Sequence, residues 1–135
     1  EAGLQNYAGV IGSAAALEYL ANVGIANVER HERELNEFIT GELAKLPKVR
    51  ILGPPDAASR SSIVSFIVEG LDSGELSILL DKSANVMTRS GVHCCHAWFH
   101  KYDLLPSLRV SLSIYNTLDE AELLVRTLHS IVKHF

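Results

Sequence analysis

The run Arg89-Ser90-Gly91-Val92-His93-Cys94-Cys95, with Arg109 further along, gathers this chain's most reactive side chains. A thiol between two guanidinium groups is the layout of a nucleophile that works on a small carboxylate. Arginine presents a planar fork that holds a carboxylate through two parallel hydrogen bonds. A fixed cation nearby also lowers a thiol pKa and makes the reactive thiolate available. An inert reading competes with this one. A cysteine at a strand end is commonly a small buried apolar residue, and an arginine is commonly a solvated surface charge. Spacing alone leaves both readings open. His93, Cys94, Cys95, His96 and His100 also make a dense run of possible metal ligands, with His96 and His100 on one helical face. Structural zinc sites draw ligand pairs from separated segments, and the sequence holds no second pair, so no metal site is predicted. His31, His129 and His134 read as surface histidines.

Three segments together resemble a known family. Arg89-Ser90-Gly91-Val92-His93-Cys94 is similar to the Arg-Thr-Gly-His-His-Cys signature of Suf-type (group II) cysteine desulfurases and selenocysteine lyases. These are class V members of the pyridoxal phosphate (PLP) aminotransferase superfamily. Leu108-Arg109-Val110-Ser111-Leu112-Ser113-Ile114-Tyr115-Asn116-Thr117 resembles the family's Arg-Ala-Ser-x-x-x-Tyr-Asn-Thr stretch, at the family's spacing from the first block. Glu1-Ala2-Gly3-Leu4-Gln5-Asn6 resembles the Glu-Ala-Gly-Thr-x-Asn loop that opens the helix into the small domain.

The resemblance implies a set of roles. Cys94 would be the nucleophile, taking sulfur from L-cysteine as a persulfide and releasing L-alanine. Arg109 would hold the substrate carboxylate, with Arg89 and His93 also binding substrate, and backbone N–H groups of Gly3 and Leu4 would face the phosphate of pyridoxal 5'-phosphate. It further implies a homodimer and a sulfur-acceptor protein serving iron-sulfur cluster assembly. Three positions depart from the pattern: Leu4 replaces a threonine, Val92 a histidine and Cys95 an alanine. On an extended turn adjacent side chains point apart, so Cys95 reads as a packing residue, although it could accept sulfur from Cys94. The family's Schiff-base lysine lies in a Ser-x-His-Lys context in the large domain. Lys45, Lys48, Lys82, Lys101 and Lys133 have no such context, so residues 1–135 read as the C-terminal small domain of a larger enzyme, inactive by themselves. Residues 1–24 read as the opening loop and linking helix. A selenocysteine lyase or another class V enzyme fits the same residues, and a stand-alone α+β binding or regulatory domain is the alternative of another class.

Composition agrees with one compact domain: 135 residues, 47% hydrophobic and 21% charged. A net charge of -4 with 12 lysines and arginines offers no basic stripe for nucleic acid. No apolar run approaches the roughly 20 residues of a membrane span. Two adjacent cysteines make no disulfide framework and predict a reducing, cytoplasmic setting.

The elements that must position these residues follow from periodicity. Val10, Ile11, Ala14, Leu17 and Leu20 predict a helix over residues 6–22, ending at Gly24. Leu35, Phe38, Ile39, Glu42 and Leu46 predict a second over about 26–46, stopped by Pro47. Strands are expected at 49–52, 63–68, 86–89 and 109–114, with a loop at 53–61 and a turn at 90–95. Asp72-Ser73-Gly74-Glu75 and Thr117-Leu118-Asp119-Glu120 resemble capping boxes that open helices over 74–82 and onward to His134. A short helix is expected over 97–102, before Pro106. The order predicts an α+β sandwich, with a mainly antiparallel sheet of about four strands and helices on one face. Strand alternation puts Arg109, Ser111 and Ser113 on one face, with Val110, Leu112 and Ile114 on the other.

Overall fold

The computed structural model describes residues 2–134, so Glu1, which begins the front motif, lies outside the described residues. The elements come in the expected order: α1 (Tyr7–Val23), α2 (Ile25–Leu43), β1 (Val49–Leu52), a 3-10 turn (Ala57–Ser59), β2 (Ile63–Val68), α3 (Ser73–Ala84), β3 (Arg89–Gly91), α4 (His96–Lys101), β4 (Ser107–Ser111) and α5 (Leu118–Val132). The sheet runs β1-β2-β4-β3, and every neighbouring pair is antiparallel. β2 and β4 are its central strands, which suits the run Ile63-Val64-Ser65-Phe66-Ile67-Val68.

Alternation divides the sheet as expected. Val64, Phe66, Leu108 and Val110 face a core built with Leu35, Ile39 and Leu43 of α2, Leu76 and Leu80 of α3, and Leu124 and Leu128 of α5. Each such side chain, withdrawn from water, contributes roughly 1.5–3 kcal/mol before entropy is charged against it. Short α4 instead lies against the opposite face: Phe99 is buried but outside that core, and it shares a cleft with Ser65 and Arg109.

Several boundaries differ from expectation, each for a local reason. α2 ends at Leu43 because Lys45 and Leu46 donate to Glu42 and Leu43, tightening the chain ahead of Pro47. Val86–Thr88 is not strand. The Ser77 hydroxyl donates to the Thr88 carbonyl at 3.1 Å, tying that segment to α3, and pairing starts at Arg89. β4 stops at Ser111 because the Asn116 side chain takes the Ser113 N–H at 2.9 Å and folds the chain into a turn. The two caps also differ. Thr117 and Glu120 make the full reciprocal box, whereas at α3 only the Asp72 carboxylate accepts, from Gly74 and Glu75. α5 turns Ala121, Leu124, Val125, Leu128 and Val132 inward, so Leu123 and Ile131 fall at the edge of the buried face.

α1 is a helix as its periodicity requires, yet none of its residues is buried, and Val10, Ile11 and Leu17 are each about two-thirds exposed. No single helix among the described residues is long and apolar enough to cross a membrane.

Candidate active site

The register of the sheet assembles a row of side chains that no local spacing reveals. Leu52 pairs with Ser65, Ser65 with Arg109, and Arg109 with Arg89, one residue from each strand. Directly opposed residues in antiparallel strands project from the same face. The row therefore lies on the face away from the helical core, where alternation places Arg109. Arg89 and Arg109 end up side by side. Like charges directly opposed across a sheet are destabilising, and among the described residues neither guanidinium has an acidic partner. The Nε of Arg109 is enclosed and without a hydrogen-bond partner among the described residues. An unpartnered pair of guanidinium groups is suited to an anion held in bidentate fashion.

The chain then turns back over this row. Gly91 has φ 119°, a conformation open to glycine and costly for any residue with a Cβ. Cys95 donates its N–H to the Val92 carbonyl at 2.8 Å, closing a tight turn whose central residues, His93 and Cys94, have φ of 51° and 61°. Two consecutive non-glycine residues at positive φ resemble a type I′ turn and cost of order 1–3 kcal/mol each. This turn is not extended, so adjacent side chains need not point apart. Both thiols are exposed. The expectation of Cys95 as a packing residue is thereby corrected: its sulfur lies near the His93 carbonyl at 3.5 Å, and it lines the cleft.

His93 is fixed from below and from the side. Its Nε2 lies 3.0 Å from Oγ of Ser107, a fully buried residue opposite Gly91 in the sheet, and its ring meets Phe99 edge-on with centroids 6.3 Å apart. Burial first, then the charges of Arg109 and Arg89, hold its pKa below the ordinary 6.5; hydrogen bonding to the Ser107 backbone works in the opposite direction. The imidazole is thus kept neutral beside the two cations. Its Nδ1 is enclosed with no partner among the described residues, and Trp98 packs edge-on against Phe99 at 5.3 Å to complete the wall.

The result is a cleft of about 290 Å³ with Ser65 and Arg109 as its floor, His93 and Cys95 on one side, and Trp98, Phe99 and Leu52 as apolar walls. A second cleft, of about 260 Å³, lies between Met87, Leu112 and Glu120 and contains neither cysteine nor either arginine. Of the residues singled out in sequence, His93 and Arg109 line this cleft; Arg89 stands beside Arg109 in the sheet, and Cys94 lies in the turn next to Cys95, exposed and outside the lining. Gly3 and Leu4 do not join them: Leu4 is 97% exposed, and a Cβ added at Gly3 would meet only open space. No group of three or more histidine, cysteine or acidic side chains converges among the described residues. Ser65, Ser107 and Leu52 escape sequence reasoning. Only Ser107 carried a signal: two positions before Arg109, it shares the Arg109 face of the strand by alternation.

Known proteins share both sequence and shape. The model of the aminotransferase class-V family matches residues 1–124. A probable cysteine desulfurase of Xylella fastidiosa is 38% identical over 133 residues, covering 98% of this chain and 31% of that protein. The apo cysteine desulfurase of Thermococcus onnurineus NA1 superposes with a TM-score of 0.93 at 33% identity, covering all of this chain and 33% of the other. The Escherichia coli cysteine desulfurase CsdA, in its S-sulfonic acid form, gives 0.89 at 31% identity, again over a third of its length. This chain spans about a third of the length of these relatives. With the α+β fold, the motif order and these likenesses in agreement, the chain belongs to the aminotransferase class-V family.

Proposed function

We propose that this chain is the small, C-terminal domain of a Suf-type, PLP-dependent cysteine desulfurase that moves sulfur from L-cysteine to Cys94 and releases L-alanine. The observation that carries the reading is the pair of opposed guanidinium groups, Arg89 and Arg109, without an acidic partner among the described residues, beneath a strained turn that presents an exposed thiol. The names of the relatives support the choice of substrate.

The residues present fit the substrate-facing half of such a site and not the cofactor's anchor. None of the five lysines lines the cleft, and Leu4 offers no hydroxyl to a phosphate. We therefore assign the cofactor to a segment outside this chain. When bound, PLP supplies the electron sink that allows the substrate's C–S bond to break.

Within this chain the division of labour is physical. Arg109, with its open fork on the cleft floor, takes the substrate carboxylate, and Arg89 adds charge from the opposite strand. Neutral His93 does not compete with substrate for the guanidinium groups as an anion would, nor does it add a third positive charge. Its bond to Ser107 fixes the ring, and the ring props the Val92–Cys95 turn. The Cys94 thiolate attacks the sulfur of the substrate; a persulfide forms on Cys94 as the C–S bond breaks, and the carbon leaves as alanine. The sulfur then passes to an acceptor protein.

The test uses the full-length protein, loaded with PLP and given L-cysteine. Cys94→Ser is expected to end alanine formation while leaving the absorbance of the bound cofactor intact. Alanine formation at an undiminished rate would remove Cys94 from the chemistry.

A further inference from the structure

The second thiol is not explained by a desulfurase that uses one. Cys95 sits next to Cys94, is exposed, lines the same cleft as Arg109 and His93, and makes no side-chain cap to α4. A cysteine retained for packing would be buried, and one retained for capping would bond a helix N–H. Neither applies here. Cys94 is instead a central residue of the turn, at φ 61°, and Cys95 closes it at φ −102°, so the two adjacent thiols stand on a turn and not on an extended strand.

Resting on the desulfurase reading above, we propose that Cys95 is a second sulfur-accepting thiol, which draws the transferred sulfur off Cys94 and so lets one chain hold two sulfur atoms. The step balances without an outside oxidant or reductant. The Cys95 thiolate attacks the terminal sulfur of the Cys94 persulfide; a new S–S bond forms on Cys95, the old one breaks, and Cys94 leaves as a thiolate ready for another substrate. The Cys95 proton goes to solvent, as the exposed thiol allows.

Geometry also says which sulfur is attacked. Attack on the inner sulfur would expel hydrosulfide and join Cys94 to Cys95 in a disulfide. Adjacent residues lie only about 3.8 Å apart between Cα atoms, below the ~4.4–6.8 Å that disulfides ordinarily span. That closure is strained, whereas attack on the outer sulfur leaves an extra atom between the two thiols and relieves the constraint. Sulfur on Cys95 then stands at the rim of the cleft, next to solvent, where an acceptor thiol can reach it.

The experiment counts products. The full-length, PLP-loaded protein is mixed with excess L-cysteine and no acceptor, and alanine released in the burst is measured per chain. Trapped thiols are alkylated, and mass spectrometry locates the added sulfur on the peptide that carries both cysteines. The wild-type protein is expected to release two alanines per chain and to carry one added sulfur on each cysteine. Cys95→Ala and Cys95→Ser should each stop at one alanine and one sulfur, and Cys94→Ala should release none. Two alanines from the Cys95 variants, or one from every protein with an intact Cys94, would overturn the relay while leaving the desulfurase reading in place. Sulfur loaded on Cys95 in Cys94→Ala would overturn the order of transfer. No alanine from the wild-type protein would overturn the desulfurase reading itself and the relay with it.

Discussion

Replacing Arg109 with lysine separates the fork from the charge. The Arg109 side chain rises from the central strand β4 with Ser65 on one side and Arg89 on the other, and its enclosed Nε has no partner among the described residues. Nothing in this surrounding competes with a ligand for the guanidinium group. A carboxylate seated in the fork gains two parallel charge-assisted bonds, of which a lysine at this position can reproduce one at most. A lost hydrogen bond to a charged group costs about 1.5–3 kcal/mol, which at 1.4 kcal/mol per decade is a loss of about 10- to 150-fold in affinity. The charge is conserved, so the field at His93 and at the two thiols changes little. The assay is alanine formation by the full-length protein as a function of cysteine concentration. KM should rise by the stated factor, with a much smaller change in kcat. The fold should survive, because the substitution leaves the core face of β4 untouched and the like-charge pair with Arg89 as it was. An unchanged KM in a variant that melts as the wild type does would refute the assignment of Arg109 to the substrate carboxylate.

Other outcomes follow from the same structure. His93 is held below 6.5 in the folded protein, so below pH 6.5 the unfolded chain binds a proton there that the folded chain does not, and stability must fall as the pH drops through that window. Urea midpoints measured down from neutrality should therefore decline less steeply in His93→Gln, and equal slopes would contradict a depressed His93. Thr117→Ala removes the hydroxyl that accepts from Glu120 and should cost about 1 kcal/mol in urea unfolding; no loss would mean that the capping box contributes nothing to α5. Phe66→Ala empties a fully buried position on β2, next to Ser65, and should cost about 3–5 kcal/mol. A loss under 1 kcal/mol would show that the core is not packed around that ring.

Much of this protein is legible locally. Element order, the helix starts at Asp72 and Thr117, and the division of β4 into an Arg109 face and a Val110 face all follow from propensity, capping and alternation, which act between residues a few positions apart. The reactive run 89–95 is likewise visible as a string of residue types, and its resemblance to one family points to Cys94 and Arg109. Where the local rules misplace a boundary, a side chain has taken over a backbone group: Ser77 at Thr88, and Asn116 at Ser113. What the sequence leaves undetermined is register and turn geometry. Arg89 meets Arg109, and Ser65 meets Arg109, only because three strands align at one level, and that alignment is decided by which apolar side chains share the helical core. The buried Ser107 under His93 depends on the same alignment. The left-handed conformations of His93 and Cys94 were not readable from their residue types, since non-glycine residues seldom adopt positive φ and two in succession are rarer still. It is that turn, closed by Cys95 on Val92 and held against Phe99 by His93, that brings the second thiol to the cleft, a placement that packing imposes against local preference.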